Sequence, residues 1–163
     1  MSKKIQLTQG KYAIVDDEDF EYLNQWKWYC HKCPSGICYA TANIKIDGNY
    51  TSFRMHRLIM KVYDKKVFID HIDHDGLNNQ KSNLRESTQS ENQRNRGKQR
   101  NNTSGFKGVF WNKKAKKWIP AIRINGKMIA LGCFDCKIKA AEAYNFAAIE
   151  YHGEFAHLNQ IPK

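Results

Sequence analysis

Apolar and polar positions alternate only in short runs, and turn signals between the runs divide the chain into small β-rich modules. Residues 11–15 alternate as a strand, and Asp17 to about Asn24 reads as a short helix whose acidic residues favour its N-terminus. Trp26, Trp28 and Tyr29 form an aromatic cluster suited to core packing. The β-rich runs 39–46 and 50–55 flank Asp47-Gly48-Asn49, whose residues accept the positive φ angles of a tight hairpin turn. Residues 56–63 then read as a short amphipathic helix with Leu58, Ile59 and Val62 on one side.

The second half begins with a β-like run at 67–72, a turn-rich stretch at 73–83, a second run at 84–88 and a polar helix opened by Ser90. Ser90 with Gln93 three residues later has the spacing of a capping box, in which each side chain satisfies the other residue's backbone N–H. Residues 93–104 are basic, amide-rich and without an apolar anchor, which predicts a linker. Strands are predicted at 106–111, 118–124 and 127–131, the last two joined by Asn125-Gly126. A helix follows from about Lys137 to His152, with Ala140, Tyr144, Ala147, Ala148 and Tyr151 on one face and Gly153 as its stop.

Charge adds a direction to this layout. The net +11 is uneven: residues 1–55 carry seven Lys/Arg against six Asp/Glu, residues 56–93 six against six, and residues 94–163 fourteen against four. Concentrated positive charge of that kind is the footprint of a phosphate-backbone binder, with a solvated, solubilising surface as the alternative. Arg94, Arg96, Lys98 and Arg100 either tether passively or track phosphates, and Lys113, Lys114, Lys116 and Lys117 form a basic loop able to grip them. No apolar run approaches the roughly 18 residues of a membrane helix, and the start lacks the apolar stretch of a signal peptide, giving the expectation of a cytoplasmic protein. The five cysteines are odd in number, consistent with free thiols in a reducing compartment. Cys30/Cys33 and Cys133/Cys136 have C-x-x-C spacing but lie too far apart in sequence for a zinc ribbon, which argues against structural zinc. Cys136 falls where a strand gives way to a helix, a packing role.

The candidate chemistry is central: Asp70-His71-Ile72-Asp73-His74-Asp75, Asn78, Asn79, Asn83, Glu86, Glu91 and Asn92 crowd one β-loop-β-α unit. Carboxylate and amide oxygens hold a hard cation such as Mg²⁺, and a neutral imidazole takes a proton from water, the ingredients of phosphodiester hydrolysis. Asp70 and His71 point to opposite faces of a strand unless the strand bends or ends there. Asn92 falls in the first turn of its helix, where free N–H groups also favour a phosphate. His74 competes with His71 for the same role.

These positions resemble the HNH nucleases of the ββα-metal class, especially their phage and intron homing branch. The matching elements are Met55-His56-Arg57-Leu58-Ile59, Asp70-His71, Leu77-Asn78-Asn79, Asn83-Leu84 and Ser90-Glu91-Asn92. The resemblance implies that His71 is the general base, that Asp70 and Asn92 ligate one Mg²⁺ or Mn²⁺, and that Asn83 orients the loop and His71. Asn92 stands where many members carry His. It also implies duplex DNA as substrate, cut to 5′-phosphate and 3′-hydroxyl ends, with Arg57 near the backbone.

The C-terminal third resembles the Apetala-two, or ethylene-response-factor, DNA-binding domain over about residues 104–159. Its marks are Ser104-Gly105-Phe106-Lys107-Gly108-Val109, Lys117-Trp118, Ala121-Ile122-Arg123, Leu131-Gly132-Cys133-Phe134-Asp135 and Ala140-Ala141-Glu142-Ala143-Tyr144. The resemblance implies a three-stranded sheet in the major groove, with Trp118, Ile122 and Leu131 facing the helix and Arg123, Lys107 and Phe110 facing DNA. Phe110, Asn112, Met128 and Ala130 stand where plant members read bases, so base preference does not carry over. Pro120 would break a ladder bond in a central strand unless a bulge intervenes. Trp111 suits core packing or base stacking.

The expected fold is therefore α+β: an N-terminal β-hairpin region (1–63), an HNH ββα-metal unit (64–97), a basic linker (98–103) and a sheet-plus-helix DNA-binding domain (104–159). The expected function is a metal-dependent DNA endonuclease of homing type. The alternative is a non-catalytic DNA-binding regulator that keeps the HNH scaffold.

Overall fold

The computed structural model describes residues 1–34 and 36–162. It is a mixed α+β fold of two compact units, Met1–Asn92 and Gln93–Lys163.

In the first unit β1 (Ser2–Gln6) pairs antiparallel with β2 (Tyr12–Asp16), which runs into α1 (Asp17–Asn24). β3 (Tyr29–Lys32), β4 (Cys38–Ile46) and β5 (Asn49–Arg54) form an antiparallel sheet with β4 central. The β4–β5 turn is as tight as its sequence predicts: Ile46 pairs with Asn49, and Asp47 and Gly48 take φ of 49° and 82°. β6 (Phe68–His71) pairs antiparallel with β7 (Leu84–Ser87), which leads into α3 (Gln89–Asn95). Ile5, Val15, Leu23, Trp28, Met55 and Leu84 are among the side chains of one shared core. Trp28 also donates its indole N–H to the Leu23 carbonyl at 2.8 Å.

Three details depart from the sequence reading. β1 and β3 carry few apolar residues and exist through pairing, with Ile5 and Cys30 their buried members. α2 (Met55–Ile59) ends four residues before Tyr63 because Lys61 turns left-handed, φ 54°. The N–H of Lys61 then bonds the Leu58 carbonyl and that of Val62 the Arg57 carbonyl, a Schellman closure. The capping box sits two residues earlier than Ser90/Gln93. Thr88 N donates to Glu91 Oε2 at 2.8 Å, and Glu91 N returns to Thr88 Oγ1 at 3.2 Å.

In the second unit β8 (Val109–Asn112), β9 (Lys117–Ile124) and β10 (Lys127–Ala130) form an antiparallel sheet with β9 central, and α4 (Lys137–His152) covers one face. Asn125 and Gly126 make the β9–β10 turn at φ 48° and 79°. Pro120 sits inside β9 without harm. Its carbonyl accepts from Leu131, so its missing N–H also faces Leu131, just past the end of β10. Gly108 is required by close approach: a Cβ there would lie 2.1 Å from the Tyr144 ring. Tyr151, expected on the buried face of α4, is exposed, and His152 takes the place, buried with Nε2 donating to the Arg123 carbonyl at 3.0 Å. The i, i+4 row Ala140-Tyr144-Ala148-His152 is buried, together with Ala141 and Ala147.

Candidate active site

β6 ends at His71, so Asp70 and His71 are the last two residues of a strand whose partner, β7, feeds α3 with Asn92 in its first turn. Both Asp70 and His71 are buried, at 6% and 5% exposure. Asp70 pairs across the ladder with Arg85, whose Nε and Nη2 donate to Asp70 Oδ2 at 3.1 and 2.9 Å. The carboxylate thus already holds a cation in a site shielded from water.

His71 lies in an aromatic box. Its ring meets that of His56 edge-on at 5.0 Å and that of Tyr39 at 5.8 Å, and His56 and Tyr39 are 5.6 Å apart. Asn79, fully buried, places Oδ1 3.4 Å from His71 Nε2. An amide oxygen only accepts, so this contact puts the proton on Nε2 and makes Nδ1 the basic nitrogen. Burial lowers the pKa of His71, although Asn79 and the nearby carboxylates of Asp73, Asp70 and Asp75 work in the other direction. Burial lowers that of His56 further, assisted by the charges of His71, Arg54 and Arg57, and His56 Nδ1 is buried without a hydrogen-bond partner.

The loop from 72 to 83 is knitted by its own polar side chains. Asn83 donates Nδ2 to Asp73 Oδ1 and to the Asn78 carbonyl, both at 2.8 Å, and its Oδ1 accepts from Asp73 N at 3.0 Å. Asp73 Oδ2 accepts from Asn78 at 2.7 Å. Burial opposes ionisation of Asp73, yet the hydrogen bonds from Asn78, Asp75 and Asn83 outweigh it and lower its pKa. Strand β2 clasps this loop: Ile14 N donates to the Leu77 carbonyl at 2.8 Å and Asn79 N to the Ile14 carbonyl at 2.7 Å. Gly76 passes so close to β4 that a Cβ would lie 2.3 Å from the Cys38 carbonyl.

Among the residues singled out from sequence, Asp70 meets Arg85, and His71 meets Asn79, His56 and Tyr39. Asn83 organises the loop, whereas the amide set against His71 belongs to Asn79. His74 is exposed in the loop at φ 67°. Arg57 spends its guanidinium on the Val67 and Asp64 carbonyls, at 3.1 and 2.6 Å. Lys107 is half-buried with its ammonium on the Arg94 carbonyl, and burial brings its pKa down to about 8. Arg96, Lys98, Arg100, Lys113, Lys114, Phe110 and Arg123 are exposed, and Arg94 half-buried. Trp111 packs edge-on against Trp118 at 5.0 Å.

Among the described residues no three His, Cys, Asp or Glu side chains gather as a metal cluster. The hard donor at the end of β6 is the Asp70 carboxylate. It is an oxygen donor of the kind a hard divalent ion takes, and Arg85 now neutralises it.

Residues 54–94 match the family model described as HNH endonuclease. The chain is 29% identical over 153 residues to "Uncharacterized HNH endonuclease L560" of Acanthamoeba polyphaga mimivirus, covering 94% of this chain and 77% of that protein. It is 36% identical over 92 residues to "Protein 3.8" of Escherichia phage T7, covering 56% of this chain and 75% of that protein. No solved structure matches. HNH nucleases generally use divalent metal ions, and the family implies DNA as substrate. No helix among the described residues is long and apolar enough to cross a membrane. This chain belongs to the HNH endonuclease family, of the kind found in phages and viruses.

Proposed function

We propose that the protein is a DNA endonuclease of homing type that hydrolyses phosphodiester bonds with Mg²⁺ or Mn²⁺. The observation that carries this reading is a buried, acid-shifted His71 beside Asp70 at the end of a strand whose partner leads to Asn92, inside the HNH-matched segment. His71 Nδ1 takes a proton from the attacking water, and Asn79 holds the ring in the tautomer that leaves this nitrogen basic. Asp70 and Asn92 would hold the metal. When bound, the ion polarises the scissile phosphate and stabilises charge on the leaving oxygen. Asn83 keeps the loop in shape through Asp73 and Asn78, and Arg85 sets the position of the Asp70 carboxylate.

DNA affinity is assigned to the second unit, an Apetala-two-like module. Strand pairing puts Phe110, Asn112, Arg123, Met128 and Ala130 on the sheet face opposite α4, the face proposed to enter the major groove. Arg96, Lys98, Arg100, Lys113 and Lys114 are proposed to track phosphates. Arg57 and Lys107, turned to backbone carbonyls, are assigned to the scaffold.

The test is cleavage of supercoiled plasmid and long duplex DNA by wild type and His71→Ala, with Mg²⁺, Mn²⁺ or EDTA. The expected result is metal-dependent nicking or linearisation, lost in His71→Ala while gel-shift binding persists. Binding without cutting across varied targets would leave a non-catalytic DNA-binding regulator. Equal cutting by His71→Ala would overturn the assignment of the base.

A further inference from the structure

Away from the histidine box, β3 and β4 bring two thiols to one lysine. Lys11 donates its ammonium to Cys38 Sγ at 2.9 Å, and Cys30 lies diagonally across from Cys38 on the same sheet face. Cys30 is buried, whereas Cys38 and Lys11 are half-exposed in the wall of a cleft of about 570 Å³ that the loop residues Asp73, Asp75 and Gly76 also line. Cys38 therefore borders this cleft, although its side chain also packs against the core.

The sheet register decides which partner an oxidised Cys38 would meet. Cys30 lies opposite Ala40, and Cys38 opposite Lys32, so the two cysteines are diagonal neighbours. Diagonal positions stand roughly 7–8 Å apart, beyond the usual Cα separation of a disulfide. The amine of Lys11 is already in van der Waals contact with the sulfur.

We propose that Lys11 and Cys38 are a covalent modification site, at which peroxide converts the pair into a sulfur–nitrogen cross-link. The Cys38 thiol attacks hydrogen peroxide: an S–O bond forms, the O–O bond breaks, sulfur is oxidised by two electrons, and one water leaves. The Lys11 amine then attacks the sulfenic sulfur. An S–N bond forms, the S–O bond breaks, the amine proton goes with the departing hydroxyl as a second water, and this step involves no further oxidant. The charge balance favours the order. The ammonium draws the thiol toward its thiolate, lowering the pKa of Cys38, while the thiolate raises that of Lys11. Once the sulfur is oxidised the thiolate is gone, and Lys11 releases its proton more readily for attack.

The site is independent of the nuclease reading and is tested on the full chain. Native protein is treated with hydrogen peroxide, the remaining thiols are blocked, and peptides are mapped by mass spectrometry without reduction. The expected product joins the peptide containing Lys11 to the one containing Cys38, with loss of two hydrogens and resistance to trypsin at Lys11. It should persist in Cys30→Ser and vanish in Cys38→Ser and in Lys11→Arg, which keeps the charge but not the nucleophile. In Lys11→Arg the sulfenic acid should instead be trapped by dimedone at Cys38. A Cys30–Cys38 disulfide, a Cys38 sulfinic acid without cross-link in wild type, or an unmodified Cys38 would each overturn the proposal. Circular dichroism establishes that the variants are folded.

Discussion

Acidification should loosen the first unit through His56. The ring is 3% exposed, its Nδ1 has no partner, and burial holds it neutral well below the ordinary imidazole pKa of 6.5. Between the folded and unfolded pKa the unfolded chain binds more protons, so stability rises with pH there. The contribution is complete above about pH 6.5 and is lost progressively as pH falls toward the folded value. Each pH unit in that window costs about 1.4 kcal/mol for one fully neutral histidine, so the step from pH 6.5 to 5 costs up to about 2 kcal/mol. His71 and His152 are shifted the same way, so the perturbation needs a reference lacking only the His56 proton. His56→Phe supplies one, because an aromatic ring preserves the edge-on contacts with His71 and Tyr39 and abandons no hydrogen bond at Nδ1. The assay is hydrogen exchange resolved by mass spectrometry over peptides from residues 1–92, at pH 7 and pH 5, corrected for intrinsic exchange. Wild type should lose up to about 2 kcal/mol more protection free energy than His56→Phe across that step. Equal losses would refute the reasoning, since they would mean that His56 takes up its proton without unfolding.

Three further outcomes test the site and its supports. Arg85→Gln removes the cation from buried Asp70 and should cost about 3–5 kcal/mol in EDTA by chemical denaturation, with Mn²⁺ restoring more stability than it adds to wild type. Gly76→Ala drives a Cβ into the Cys38 carbonyl and the Tyr39 ring, and should displace the loop, read as loss of the His71 and Asn79 NMR shifts of wild type rather than as global unfolding. Lys61→Gly relieves a left-handed lysine at the end of α2 and should stabilise the protein by about 1 kcal/mol in urea titration.

What could be read in the sequence was what local physics decides. α1, α4 and both two-residue hairpins follow from caps, acidic first turns and Asp-Gly or Asn-Gly pairs, and they appear at the anticipated residues. β1 and β3 escaped because each buries a single apolar residue and has no signal apart from its partner strand. Thr88-x-x-Glu91 and Ser90-x-x-Gln93 both satisfy the capping pattern; the end of β7 at Ser87 chose the first, which sequence alone does not reveal. The site divides along the same line. Asp70, His71 and Asn83 stood out as chemistry in a polar motif. Arg85 required the β6–β7 register, Asn79 the clasp by Ile14, and His56 the packing of α2 beside the hairpin. His56 begins the run read as an amphipathic helix, but nothing local says that it is buried or which ring it meets.

The charge distribution gives the proposed function its division of labour. Met1–Asn92 carries thirteen Lys/Arg against twelve Asp/Glu, and Gln93–Lys163 fourteen against four. A unit so nearly neutral, with Arg85 on Asp70 and Arg57 on the carbonyls of residues 64 and 67, has little net charge to hold a polyanion. Binding energy drawn from phosphates must then come mainly from the second unit, and with it the salt dependence, near 0.9 in log K per log salt for each phosphate neutralised. On this reading, substitutions at His71 or Asn79 change the rate on bound DNA, whereas charge removal at Lys113 and Lys114 weakens binding and flattens its salt slope without touching the chemistry of the bound complex.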